Sequence, residues 1–205
     1  MTNTRIKRFC YLALFIAIEL VMFMVPFLGM IPLGAINATT LHIPVILTGI
    51  ILGKKEGAVI GFIFGFLSML SNTTNPNATS FVFSPFIEIG GVSGNWQSLL
   101  IAFVPRMMIG YGSGAIFTFL QKTKIKESFN VIISAICGSF INTSLVMGGI
   151  YLFFGSAYAS MKGITYSALI TFIITIITTS GVAEALVAAI LCSAIYKASK
   201  KVIRL

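Results

Sequence analysis

Residues 129 to 155 contain no charged side chain, and the windows 9 to 28 and 96 to 121 contain one each, Glu19 and Arg106. A helix of about 17 to 25 residues crosses the hydrocarbon of a bilayer, so each window is long enough to be a span. Inside hydrocarbon the backbone must satisfy its own polar groups, which limits the chain to helices or a closed barrel. The composition agrees with a membrane interior: 57% of residues are hydrophobic and 9% charged, with 18 Phe and no Asp. Soluble domains carry about 25% charged residues. A net charge of +9 suggests nucleic acid in a soluble chain. Here Lys and Arg sit mostly at the ends of apolar runs, so membrane topology explains them and no nucleic-acid partner is expected.

Two stretches are harder to assign. Residues 42 to 72 are interrupted by "GKKEG" at 53 to 57, which predicts two short spans, 42 to 52 and 57 to 72, tolerable only inside a bundle or a thinned bilayer. Residues 164 to 198 are too long for one upright helix and too short for two. A break at Ser180 and Gly181 is expected, leaving a last span at 182 to 198 and an outer, apolar lid or re-entrant segment at 164 to 178. The basic "NTRIKR" resembles the start of a signal peptide. The apolar run after it continues past Glu19 without a small-residue cleavage site, so it is expected to stay as a helix.

The fold expected is an all-α integral membrane protein: one domain, 1 to 205, forming a six-transmembrane-helix bundle. With the N-terminus inside, Arg5, Lys7, Arg8, Lys54, Lys55, Lys122, Lys124, Lys126, Lys197, Lys200, Lys201 and Arg204 all fall on the cytoplasmic side, and Lys162 alone in an outer loop. Both termini are then cytoplasmic. The outer connections, 29 to 41, 73 to 95 and 156 to 181, are long and structured, as suits a site that captures something from outside. Cys10, Cys137 and Cys192 have neither disulfide nor zinc spacing and are expected to be small buried hydrophobes.

Enzyme signatures are missing: there is no Walker A sequence, no HExxH and no Asp pair, and the single histidine, His42, reads as a helix-end polar residue. No metal, cofactor or catalytic residue is expected. The intramembrane polar set is Glu19, Arg106, Asn142 and Glu184, and ionisable groups at such depth are functional candidates by default. At about 1.5 Å per residue, Glu19 and Arg106 both lie about 14 Å from their outer helix ends and Asn142 about 20 Å. Arg106 is therefore either ion-paired with Glu19 or a fork for an incoming carboxylate. Asn142 offers a donor and an acceptor to a substrate amide or hydroxyl, or else bonds a neighbouring helix. Glu184 follows Gly181, where a carboxylate also suits a helix N-terminus. In "SNTTNPNATSF", Asn72 and Asn75 either line the site or perform turn chemistry. Trp96 reads as an interfacial anchor. Ala13 and Ala17 form a small-residue face about 140° from Glu19, suited to helix contact, while Gly57, Gly61 and Gly65 form a second stripe read as internal packing.

Size, span count, outer loops and the first-helix AxxxA of Ala13 and Ala17 together resemble the substrate-binding S components of energy-coupling factor (ECF) vitamin transporters. The stretches "INATTLHIPVILTGIILG", "NPNATSFVFSPF", "AFVPRMMIG" and "YLFFGSAYA" resemble the branch associated with pantothenate. The resemblance implies a bacterial plasma-membrane subunit that binds a vitamin from outside. Its partner would be a module of one membrane coupling protein and two ABC ATPases, which alone use ATP. It also implies that Ala13 and Ala17 meet the coupling protein, and that the subunit topples to carry its pocket inward. Pantothenate has a carboxylate, an amide and two hydroxyls, which Arg106 and the asparagines suit. Alternatives are a neutral vitamin such as riboflavin, stacked on Trp96 and Phe rings, or a stand-alone proton-coupled carrier using Glu19 or Glu184.

Overall fold

The computed structural model describes residues 2–33 and 36–200. In chain order its elements are α1 (Thr2–Met24), α2 (Pro26–Gly29), β1 (Met30–Leu33), β2 (Ile36–Thr39), α3 (His42–Ile51), α4 (Lys54–Thr74), a 3-10 turn (Ser80–Val82), β3 (Glu88–Ile89), β4 (Val92–Ser93), α5 (Trp96–Leu120), α6 (Glu127–Lys162), α7 (Tyr166–Ile176), a π-helical turn (Ile177–Gly181) and α8 (Val182–Ser199). Four helical courses are long and apolar enough to cross a membrane: Lys54–Thr74, Trp96–Leu120, Glu127–Lys162 and Tyr166–Ser199. With α1 and α3 they make six principal helical bodies.

The centre is built on glycine. A Cβ on Gly57 would stand 2.6 Å from the Gly110 carbonyl oxygen, on Gly61 2.1 Å from that of Arg106, and on Gly65 2.7 Å from that of Ala102. These are backbone contacts that no side chain permits, and they join α4 to α5 along the stripe expected to be internal. Gly49 and Gly114 extend the seam to α3. Every residue of α3 from His42 to Ile50 is buried. Its ten residues rise only about 15 Å, half the hydrocarbon thickness, and this brevity is tolerated because neighbouring helices enclose it.

Several expected boundaries shift. Helix α4 starts at Lys54, because Gly53 turns at φ 119 and lets "KKE" join the helix. Helix α6 runs on to Lys162 with a kink at Phe154 (φ −129, ψ 15) and ends on left-handed Gly163. The break expected at Ser180 and Gly181 is absent: α7 passes into α8 through the π turn as one course from residue 166 to 199. Residues 164–178 are thus mostly helix continuous with the last span, and α7 packs back on α6, where Gly155 admits the Tyr166 ring. The connection at 29–41 holds the β1–β2 hairpin, and 73–95 holds the small β3–β4 hairpin, whose turn uses left-handed Gly90 and Gly91.

At one end of the bundle the basic segments meet. Arg8 reaches Glu56 (2.6 Å) and the Leu52 carbonyl (2.5 Å), Lys54 lies over the Tyr111 ring, and Lys200 pairs with Glu127. This is the clustering that the charge pattern implies; Lys201 and Arg204 lie outside the described residues. On α1, Phe15 and Glu19 are buried while Ala13, Leu14, Ala17, Ile18 and Val21 are exposed, so the alanine and acid faces do point apart. The cysteine expectation needs correction, because Cys10 is exposed on the outward side of α1 and only Cys192 is fully buried.

Gly61→Ala is expected to force α4 and α5 apart and lower stability by about 1–3 kcal/mol or more. Gly148→Ala, whose added Cβ meets nothing within 4 Å, is the matched neutral control. Thermal melts of the two variants in detergent check this.

Candidate functional site

Pro105 has no N–H to give to the Ile101 carbonyl four residues earlier, so α5 carries an unsatisfied acceptor in mid-helix. Arg106 fills it: Nη1 donates to the Ile101 oxygen at 2.8 Å. The proline thus creates the bond that aims the arginine. Among the described residues Arg106 is the one buried Lys or Arg, 8% exposed, and its guanidinium carbon lies 5.0 Å from the Phe83 ring centroid and 5.7 Å from that of Phe64. Both contacts are cation–π in kind. Its Nε is buried without a hydrogen-bond partner.

The ion pair with Glu19, one of the two expectations for Arg106, does not form. Among the described residues the ion pairs are Arg8–Glu56 and Lys200–Glu127, and neither includes Arg106. Glu19 is fully buried on α1 with both carboxylate oxygens unpartnered. Equal depth did not mean a shared face. The carboxylate whose field reaches Arg106 is that of Glu184, which also acts on His42.

Glu184 is half-buried, and its Oε1 accepts from the Thr39 N–H (3.2 Å) and hydroxyl (2.8 Å). Because α8 continues α7, no free helix N-terminus stands behind Glu184, and the dipole account of it does not apply. Asn142 lies on the stretch of α6 facing Arg106, since Ile101 meets Gly149 and Gly112 meets Ile141 on either side. Its Oδ1 is buried and unpartnered. Gly181 packs on Thr143, which brings α8 to the same level.

Asn72 serves the loop: its Nδ2 donates to the Ser68 carbonyl and its Oδ1 accepts from the Ser80 hydroxyl, both at 2.8 Å. Thr73–Ser84 and Ser98–Phe81 bonds add to this pinning and fix the segment that presents Phe83 to Arg106. Asn75 is exposed and its Nδ2 reaches Thr74. Trp96 is 65% exposed at the start of α5, where an anchor belongs.

Three participants were not singled out from sequence. Phe64 and Phe83 belong to an abundant residue type, and Ser139 Oγ, buried and unpartnered, gives no pattern. His42 is 1% exposed with both ring nitrogens unpartnered, and its polar neighbours are Thr39 and Glu184. A helix-end position was visible; an enclosed imidazole was not. Arg106, His42, Ser139 and Asn142, on helices α5, α3 and α6 that pack together, each hold a buried polar atom without a partner. Buried polar groups without a protein partner are candidates for bonds to a polar ligand.

Comparison with known proteins decides the family. Residues 7–196 match the family described as "ECF transporter, substrate-specific component". This chain belongs to that family. It is also 32% identical over 203 residues to the pantothenic acid transporter PanT of Lactococcus lactis subsp. cremoris, covering 98% of this chain and 97% of the relative. The pantothenate transporter PanT of Leuconostoc mesenteroides is 30% identical over 128 residues, 60% of this chain and 57% of that one. The substrate-specific component is therefore a multi-pass protein of the bacterial plasma membrane whose relatives are transporters.

A buried guanidinium with an unpartnered Nε costs the folded protein stability. Arg106→Met, which removes the half-satisfied charge and keeps the bulk, is expected to leave the unliganded melting temperature unchanged or raised. A fall of several degrees marks Arg106 as structural.

Proposed function

We propose that this S component captures pantothenate, with Arg106 as the carboxylate fork and Asn142 bonding the amide or a hydroxyl. His42 and Ser139 complete the polar wall, and Glu184, held by Thr39, orients that side of the site. Asn72 acts by fixing the loop that carries Phe83, and Asn75 lies at the mouth. The observation that carries this reading is the guanidinium itself: buried, held by one edge, flanked by two rings and closed by no carboxylate among the described residues. The names of the two relatives supply the vitamin. Riboflavin fits less well, because the exposed Trp96 offers no enclosed stacking surface and a neutral ring leaves Arg106 unpaired.

All six helical bodies lie in the membrane in this reading, the short α3 enclosed by the others, with the basic end and both termini in the cytoplasm and the loop end outside. The exposed Ala13 and Ala17 face docks on a membrane coupling protein, which two ABC ATPases power, so this chain itself needs no cofactor. Reorientation on that module delivers the vitamin inward. Few charges at the loop end, Glu88 and Lys162, limit the cost of passing that end through lipid.

Purified protein is expected to bind pantothenate with neither ATP nor an ion gradient, raising its melting temperature by mass action. Arg106→Ala should weaken binding at least about a hundredfold, since truncating one side of a buried charge pair costs about 3 kcal/mol or more. Titration calorimetry reads both, and no affinity in the wild type overturns the reading. Ala17→Trp is expected to abolish co-purification with the coupling module while leaving pantothenate affinity intact. Uptake into vesicles that lack the ATPases, driven by a pH gradient, argues instead for a stand-alone carrier.

A further inference from the structure

At the basic end, remote from Arg106, a cleft of about 490 Å³ opens between the α3–α4 junction and the end of α5. Arg8, Lys54, Lys55, Glu56, Phe119 and Lys122 line it. Arg8 and Glu56 neutralise each other at 2.6 Å. Lys54, Lys55 and Lys122 are exposed, and none has a carboxylate within 4.0 Å among the described residues. The cleft therefore keeps three ammonium groups without a carboxylate partner among the described residues. It also meets the start of α4, where Gly53 provides no side-chain cap, so the first-turn N–H groups add to the positive field.

The surroundings separate a lipid from a free anion. Along α5 the residues Tyr111, Ala115, Thr118, Phe119 and Lys122 follow helical spacing on one face, with Tyr111 40% and Phe119 67% exposed. Lys54 lies over the Tyr111 ring, 5.3 Å from its centroid, so the cationic and apolar parts of this surface adjoin. A cationic recess at the foot of an exposed apolar stripe has the shape of an amphiphile. Basic pockets between spanning helices on the cytoplasmic side recognise anionic headgroups.

We propose that this cleft binds the headgroup of one anionic phospholipid, its phosphate held by Lys54, Lys55 and Lys122 and its acyl chain lying along Tyr111, Ala115 and Phe119. This rests on the orientation proposed above, which puts the basic end at the cytoplasmic leaflet.

The test uses the full chain in nanodiscs of phosphatidylcholine alone or with phosphatidylglycerol, read by melting temperature and by lipid retained in native mass spectrometry. Phosphatidylglycerol is expected to raise the wild-type melting temperature and to remain bound. Each Lys→Gln change at 54, 55 or 122 is expected to weaken retention about fivefold. A triple Lys→Arg variant keeps the charge and should retain the lipid. No phosphatidylglycerol effect on the wild type overturns the proposal, and that measurement stands even where a Gln variant fails to fold. An equal response in the wild type and the triple Gln variant also overturns it. So does inorganic phosphate reproducing the whole shift in phosphatidylcholine discs, which marks a free-anion site. Loss of the coupling module with lipid retention intact overturns it too, by making the cleft a protein interface. Nanodiscs expose both leaflets, so these outcomes are independent of sidedness, which thiol labelling in cells tests separately.

Discussion

The backbone of α4 lies on the backbone of α5, and that contact sets the rest of the molecule. Where Gly61 faces the carbonyl of Arg106, a single methyl group would occupy space already filled by oxygen. In lipid, apolar side chains gain little by meeting each other, so close approach of backbones is a main source of helix affinity. The seam fixes α4 against the turn of α5 that carries Arg106, and through Gly49 it holds α3 against the next turn, at Gly110. His42 at the start of α3, Phe64 on α4 and Arg106 on α5 are thereby arranged by a contact in which none of their side chains takes part.

Arg106 then shows how a buried charge is placed without an ion pair. A proline in mid-helix normally leaves a carbonyl for water or a neighbour to satisfy. Here the next side chain in sequence bends back to it, which satisfies the carbonyl and fixes one edge of the guanidinium. His42, Ser139 and Asn142, on helices that pack with α5, also hold buried polar atoms without a protein partner. An occupant that supplies their bonds gains more from them than it would in water, because the local dielectric is low and no competing solvent must be displaced from satisfied groups.

Much of this was legible in the residues. Apolar windows located the helices, the Gly57, Gly61 and Gly65 stripe located the seam, and the angle between Ala17 and Glu19 separated the outward and inward faces of α1. Each of those depends on local spacing. Depth along a helix is also local, but it is one coordinate of three: Glu19 and Arg106 share it and face different neighbours. The enclosure of His42 depends on Thr39 and on Glu184 far along the chain, and the fixing of Asn72 on Ser80 across a turn, which no spacing rule reports. The continuity of α7 with α8 was missed for a different reason. Ser180 and Gly181 do disfavour regular helix, and the chain answers with a wider turn instead of a break.

That wider turn has a consequence in helical phase. The buried residues of α7, Leu169 and Ile173, and those of α8, Ala185, Ala188, Ala189 and Cys192, both face α6. Counted at 100° per residue through an uninterrupted α-helix, the two sets point about 130° apart, so one of them would look into lipid. A π turn absorbs one extra residue, which sets the phase back by about 100° and brings both sets to nearly the same side. The single residue gained there is what allows one long helix to keep a common buried edge along its length, and with it to present Glu184 to Thr39.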